Sequence, residues 1–317
     1  MRNFVRDAQQ ALGFLTSQVS SIEATVVKVL YPDIQYPQLI PVDTSANEWA
    51  KSVTWFSMDK LGRAQWFQHL ANDMPLADVQ RTKFEQGIEM AGIGYRYDLE
   101  EIGQAMMIPG MNLTTDKAEA ARRAAEEFID DIALRGSTVR NWTGLFNDAN
   151  VVNTTAPADG VGALTTWASK VTTPDLIIRD INLAITGVYT GSLTVEMADT
   201  VLLPVAELAR IATLPRSTAS DMSVLDWVTK YNVYTAQTGI PIMMRGVRGL
   251  EVAGPGPSQR IIAYKRDPQI LKLHLPMPHR FLPIWQTGPM TFDIPGILRL
   301  GGVEVRRPGG IRYISGI

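Results

Sequence analysis

SVTWFSMDKLGRAQWFQHLANDMPLADVQRTKFEQGIEMAGIGYRY, residues 52–97, is the stretch on which the fold turns. Its first part, residues 52–58, is rich in β-branched and aromatic types and reads as a strand running into a turn at Lys60, Leu61 and Gly62. Further on, Phe84, Gln86, Ile88 and Met90 alternate with Lys83, Glu85 and Glu89, which is the period of a second strand. The parity then flips to Ile93, Tyr95 and Tyr97 across Gly92, as a β-bulge would produce. Between the two lies HLANDMPLADV, a turn-forming tip with one apolar side. The whole segment predicts a long two-stranded hairpin. An isolated ribbon of this kind is marginally stable in water, so this one needs a surface to lie on.

Upstream, YPDIQYPQLIP at residues 31–41 carries prolines at 32, 37 and 41, each removing an N–H donor and pushing the preceding residue toward extended geometry. The spacing predicts an extended arm. With Tyr31, Ile34, Tyr36, Leu39 and Ile40 it is too apolar to stay in water, and a neighbouring subunit is the favoured cover. Before it, Phe4, Ala8, Leu12, Leu15, Val19 and Ile22 recur at helical steps. Downstream, Thr115 or Asp116 can cap a helix through AEAARRAAEEFIDDIALRG, about residues 116–135, which stops at Gly136. Its expected buried stripe is Ala118, Ala121, Ala125, Phe128 and Ile132, with surface pairs Arg122 to Glu126 and Arg123 to Glu127. Further helices start at Pro174, Pro204 and Ser223, Leu193 to Met197 alternates as a strand, and strands dominate after 240. Helices between sheet segments without a regular βαβ beat give an α+β fold. The loop at 253–258 and the region near Gly191 would bound an insertion of residues 192–260.

Composition narrows the function. Of 317 residues 45% are apolar and 20% charged, a globular balance with room for two lobes. Thirty Lys and Arg face 32 Asp and Glu, so nucleic acid is not gripped by bulk charge. With no Cys there is no disulfide, zinc-thiolate site or thiol nucleophile. No signal-peptide core or membrane-length apolar run is present, which points to a soluble chain made in the cytoplasm. No Walker pattern or nucleophile elbow occurs, and Gly92-Ile93-Gly94 lacks the third glycine of a dinucleotide turn. His69, His274 and His279 have no local carboxylate at metal-ligand spacing. Glu126, Glu127, Asp130 and Asp131 read as a solvated, salt-bridged helix face, and Asp98, Glu100 and Glu101 as acids at a helix start. No catalytic residue, cofactor or metal is assigned. What stands out is shape: a tether, a ribbon and a long alanine-faced helix in a subunit that completes its core with copies of itself.

This order of elements resembles the major capsid proteins of tailed bacteriophages, the Hong Kong 97-type fold shared with encapsulin shells. YPDIQYPQLIPVD followed by WAKSVTWFSMDKLGRAQW resembles an N-terminal arm entering an extended loop. VQRTKFEQGIEMAGIGYRYDLEEIGQA resembles the return strand, AEAARRAAEEFIDDIALRG the spine helix and NWTGLFN the turn after it. VEMADTVLLPVAELARIATLP and SVLDWV resemble axial-domain elements, and IPGILRLGGVEVRRPGGIRYISGI the closing peripheral-domain strands. The resemblance implies an arm at 1–51, an extended loop at 52–97, a peripheral domain at 98–191, an axial domain at 192–260 and peripheral strands at 261–317. It further implies a virion shell of homo-pentamers and homo-hexamers, assembled in the host cytoplasm around double-stranded DNA held without sequence specificity. Separate scaffold, portal and decoration proteins are the expected partners, with no membrane and no cleaved prodomain. Some relatives weld subunits by a Lys to Asn isopeptide bond. Here Lys60 and Lys83 are in the loop but the last Asn is Asn232, so a shell without covalent links is expected.

The expected inter-subunit anchors are Tyr31, Tyr36 and Ile40 on the arm and Trp66, Phe67, Met74 and Phe84 on the loop, because aromatic and Met residues dominate interface energies. Arg81 and Lys83 would pair with a neighbour's acidic spine face, including Glu126 and Asp130. The rival readings are an encapsulin-type compartment enclosing a cargo enzyme and a carboxylate-dependent hydrolase using Glu126 with Asp130 or Glu100 with Glu101.

Overall fold

The computed structural model describes residues 31–66, 76–105, 113–217 and 219–317. The helix expected over Phe4 to Ile22, together with Phe67, His69 and Met74, lies outside the described residues. Two hydrophobic clusters are built on opposite faces of one five-stranded sheet, ordered Met243–Gly246, Thr200–Leu203, Arg260–Tyr264, Ile311–Ser315 and Asn153–Thr155. Register pairs Ile262 with Leu202 and Tyr313, and Ala263 with Val201 and Arg312. Side chains alternate between the faces of a strand. Leu202, Ile262, Tyr264, Ile311 and Tyr313 therefore enter one cluster, while Val201, Leu203, Ile261, Ala263 and Ile314 enter the other. Buried on both sides, these strands read in sequence as continuous apolar runs.

The second cluster is closed by the helix Pro174–Gly191, which buries Ile177, Ile181, Ile185 and Val188, and by Val205–Thr213 and Val224–Lys230. Pro174 lies in the first helical turn, as its fixed φ favours, and Ser223 caps Val224–Lys230 by accepting from the Asp226 N–H at 3.1 Å. Because Pro174–Gly191 packs in this cluster, the two cores do not divide at 191. The insertion expected over 192–260 thus shares its core with the residues before and after it. The strand expected over Leu193 to Met197 is instead a turn with Leu193 and Thr194 at φ of 53° and 68°. The strand itself comes later, at Thr200–Leu203. Asn232 starts an unforeseen short helix, Val233–Thr238, by accepting from the Thr235 N–H at 2.9 Å.

The first cluster sits under the long helix Leu113–Arg135. This helix begins before Thr115 and Asp116, so neither residue is its cap. It ends as expected at Gly136, whose φ is +79° and whose missing side chain makes room for the Trp142 carbonyl. Ala121, Ala125, Ile129, Ile132 and Ala133 form the buried stripe. Phe128, expected in that stripe, is 45% exposed, because Ile129 occupies the inward position one residue on.

The hairpin is shorter than its sequence suggests. Ser52–Leu61 pairs with Asp78–Gly87 in an unbroken antiparallel register from Ser52 opposite Gly87 to Leu61 opposite Asp78. The return chain then leaves the ribbon. Glu89–Gly92 pairs with Gly296–Leu300, and Tyr95–Asp98 pairs with Thr291–Ile294. The parity flip around Gly92 therefore marks a step between two small sheets and not a bulge in the ribbon. Gly92 is required there because a Cβ would lie 2.4 Å from the Gly296 carbonyl oxygen.

Candidate assembly surfaces

The arm and the ribbon were both expected to cover a neighbouring copy, and the structure separates them. Tyr36–Leu39 forms a single helical turn, not extended chain, packed on the long helix. Its first N–H groups have no partner within the turn and no capping side chain of their own. Asp130, on the long helix, supplies the cap, one carboxylate oxygen accepting from the N–H of Gln35 at 2.9 Å and of Tyr36 at 2.8 Å. The Tyr36 hydroxyl donates to Glu126 at 2.9 Å and the Tyr264 hydroxyl to the Leu39 carbonyl at 2.8 Å. Burial, and then the Glu126 carboxylate, push the Tyr36 hydroxyl above its ordinary pKa.

Beyond the turn, Val42–Asp43 adds a parallel strand to Leu271–His274. The N–H groups of Leu273 and Leu275 donate to the Pro41 and Asp43 carbonyls at 2.9 Å each. Lys272 holds the Asp43 carboxylate. Burial works against that charge, but hydrogen bonds from Lys272 and Ser45 outweigh it and hold Asp43 well below the usual carboxylate range. Tyr36 is 6% exposed and Ile40 0%. Both side chains, expected as inter-subunit anchors, have their apolar area already buried within the chain and offer little of it to a neighbour. Glu126 and Asp130 are likewise occupied by the arm, so the acidic face offered to Arg81 and Lys83 is smaller than expected. Tyr31, at the arm's outer end, remains exposed.

The ribbon is different. At its base Trp55 stacks on the directly opposed Phe84, with ring centroids 4.4 Å apart, and the Arg306 guanidinium lies 5.1 Å from the Trp55 ring. The Gln86 side-chain amide donates to the Gly301 carbonyl at 2.7 Å and the Ile88 N–H to the Lys51 carbonyl at 2.9 Å, fixing the root. Outward from there the ribbon's side chains are exposed and pack on no other described element. Phe56, Met58 and Val79 lie on one face with Lys60, Arg81 and Lys83, opposed as Phe56 to Lys83, Met58 to Arg81 and Lys60 to Val79. All three apolar side chains are exposed, as are Leu61 in the last ladder pair and Trp66 and Leu76 beyond it. Lys83 makes an exposed 3.3 Å pair with Glu85 on its own strand. A face of this composition, apolar with fixed positive charge, suits contact with another protein.

The sequence reading missed a second exposed apolar patch, Leu282, Ile284, Trp285 and Met290. Part of their run, Phe281 to Trp285, reads in sequence as one of the strands after 240, and the signal for an exposed turn is the pair Pro283 and Pro289. The carboxylates weighed for hydrolysis are structural: Glu126 and Asp130 hold the arm, and Glu101 pairs with Lys117 at 2.5 Å. Arg123 pairs with Glu127 at 3.0 Å, as the helical spacing predicts. His274 Nε2 lies 2.5 Å from Glu304, and His279 Nε2 lies 3.1 Å from the Ile93 carbonyl. Among the described residues no group of three His, Asp or Glu is placed to hold a metal, and no helix is long and apolar enough to cross a membrane.

No curated protein matches the chain in sequence. Solved structures do match it in fold. The capsid of Myoviridae phage XM1 aligns with a TM-score of 0.78 at 18% identity, over 95% of this chain and 98% of that one. Mycobacterium phage Bobi gives 0.60 at 11% identity over 93% and 94%, and the capsid of a native GTA particle 0.58 at 12% over the same shares. The α+β architecture, with its arm, projecting ribbon and long helix, is the Hong Kong 97-type capsid fold. The sequence pattern of the major capsid protein family matches residues 62–317, from the ribbon's first turn to the C-terminus. The chain belongs to the major capsid protein family.

Proposed function

We propose that this subunit builds a closed icosahedral shell of pentamers and hexamers around the double-stranded DNA genome of a tailed phage. The observation that carries this is the ribbon, a ten-residue antiparallel ladder that leaves Phe56, Met58 and Val79 in water in the single chain. Repeated around a ring of copies, such ribbons bury apolar area at every contact, and modest contacts sum over a shell. The near-even charge, 30 basic against 32 acidic residues, supports a wall that encloses DNA without gripping its phosphates.

The shell is held without covalent links between subunits. Asn232 is the last Asn in the sequence, and its side-chain amide is committed, Oδ1 accepting from the Thr235 N–H at 2.9 Å as the cap of Val233–Thr238 and Nδ2 donating to the Val228 carbonyl at 2.8 Å. Residues 192–260 form most of the lobe placed toward the symmetry axes, the long helix and the C-terminal strands the lobe at the periphery. The encapsulin reading has no observation of its own to favour it. The hydrolase reading loses its carboxylates to the arm and to Lys117. Electron microscopy of particles from the expressed chain tests the proposal, with closed shells as the expected result. A chain that sediments only as a monomer at high concentration would overturn it, and ladders of linked subunits on a denaturing gel would overturn the non-covalent shell.

A further inference from the structure

Trp66 stands fully exposed just past the end of the ribbon ladder. At the ribbon's other end, where the return chain enters the body, a cavity of about 250 Å³ opens between the long helix and the Glu89–Gly92 strand. Met90, Ala91, Phe128, Val139, Trp142 and Leu300 give it apolar walls, and Ser137, Glu89 and Arg140, which lies 3.5 Å from the Glu89 carboxylate, give it a polar edge. Met90, Phe128 and Val139 are exposed around it. A cavity of this volume has room for one indole, and the Glu89 and Ser137 oxygens at its edge are acceptors for an indole N–H.

The chain's own Trp66 cannot reach it. Ten ladder pairs at about 3.4 Å per residue put the ribbon's far end roughly 30 Å from its root. The root is fixed beside the cavity by the Gln86 contact to Gly301, one residue from Leu300. Each copy therefore carries a knob at one end of the ribbon and a hole at the other. Such a contact is head-to-tail, and it closes into rings when copied around an axis.

We propose that Trp66 of one subunit seats in the cavity between Phe128 and Trp142 of the adjacent copy, with its indole N–H toward Glu89 or Ser137. This rests on the reading of the chain as a shell subunit and names the residues of one of its contacts.

The absence of Cys from the sequence permits a direct test. Chains carrying Trp66→Cys and chains carrying Val139→Cys are co-expressed with the unmodified chain, and the purified mixed particles are oxidised or treated with a short bifunctional maleimide. The expected result is a dimer band on a non-reducing gel, with matching loss of monomer, only when both variants are present. Pairing Trp66→Cys with Val161→Cys, an exposed position in the other lobe, should give none. Intact particles without the dimer, or with equal dimer from the control pair, overturn the proposal and leave the shell reading standing. No particles from the unmodified chain would overturn the shell reading itself. Val139→Trp, which fills the hole from a side chain already in solvent, should block assembly, and normal shells from it would also overturn the proposal.

Discussion

The arm and the ribbon are both rich in apolar side chains, yet one folds into its own chain and the other does not. Residues 34–43 bury Tyr36, Leu39 and Ile40 against the long helix and the sheet, while residues 52–61 and 78–87 leave Phe56, Met58 and Val79 in solvent. The difference lies in the polar groups. Every exposed N–H at the start of the arm's helical turn finds a prepared acceptor in Asp130, and its carbonyls find Tyr264 and Arg266. The ribbon satisfies its backbone by its own ladder and so needs no polar welcome from the body. Apolar content marks a segment that must be covered. Unpaired backbone groups decide whether the cover is local.

The contrast breaks most visibly at Asp130. Asp130→Ala should lower the stability of the dispersed subunit by about 2 to 4 kcal/mol, since it removes two charge-assisted hydrogen bonds from a buried helix start. Urea unfolding measures this, and Asp130→Asn, which keeps an acceptor, should recover part of the loss. An unchanged midpoint in both variants would mean that the arm docks through apolar contact alone.

Next in size is Phe84→Ala, which removes the stack on Trp55 and should cost the subunit about 1 kcal/mol. Phe56→Ser with Met58→Ser should cost about 0.5 kcal/mol or less, because both side chains already lie in water. Shell yield by sedimentation should fall in both variants, and the double serine variant separates assembly from folding more cleanly. A fully assembling serine variant would remove that ribbon face from the interface.

How far the sequence could foresee this differs by element. The long helix was legible because its alanine spacing and Gly136 are local signals, and strands such as Arg260–Tyr264 because burial on both faces leaves a continuous apolar run. The return strand was not legible past Gly87, because Glu89–Gly92 and Tyr95–Asp98 pair with residues some two hundred positions later. No local pattern encodes such a partner. The arm's fate was hidden for the same reason, since Asp130 lies 94 residues beyond Tyr36 and reads locally as one more solvated acid. Phe128 shows the finer limit: a helical stripe is about 100° wide, and one residue's shift moved an aromatic from the core to the rim of a cavity.

A smaller effect sharpens the comparison through pH. Asp43 and Glu304 both have pKa values lowered in the fold, Asp43 by Lys272 and Ser45 against the effect of burial, and Glu304 by His274 and Arg306 against the same. A depressed carboxyl contributes stability that is present above its unfolded value and lost as pH falls toward the folded one. The sheet holding the arm should therefore weaken as pH falls below the ordinary carboxylate range of about 4. Thermal unfolding of the subunit over this fall should show the loss, with a shallower slope in Asp43→Asn. An identical slope would place the acid sensitivity elsewhere.

Within the arm, Tyr36→Phe should have a smaller effect than Asp130→Ala. It removes only the hydroxyl that donates to Glu126, a part-buried bond worth about 1 kcal/mol. Because burial and the neighbouring carboxylate raise the pKa of this hydroxyl, its proton is held more tightly in the folded chain than in the unfolded one. The stabilisation it gives is complete below the ordinary tyrosine value of about 10 and fades as pH rises past it. Tyr36→Phe should thus be weaker than the parent at neutral pH and lose less stability above about pH 10. If instead the variant is as stable as the parent at neutral pH, Glu126 regains in water what it loses in Tyr36. Asp130, together with the Arg123 guanidinium that donates to the Pro32 carbonyl, would then supply the polar contacts from the long helix that keep the arm on its own subunit.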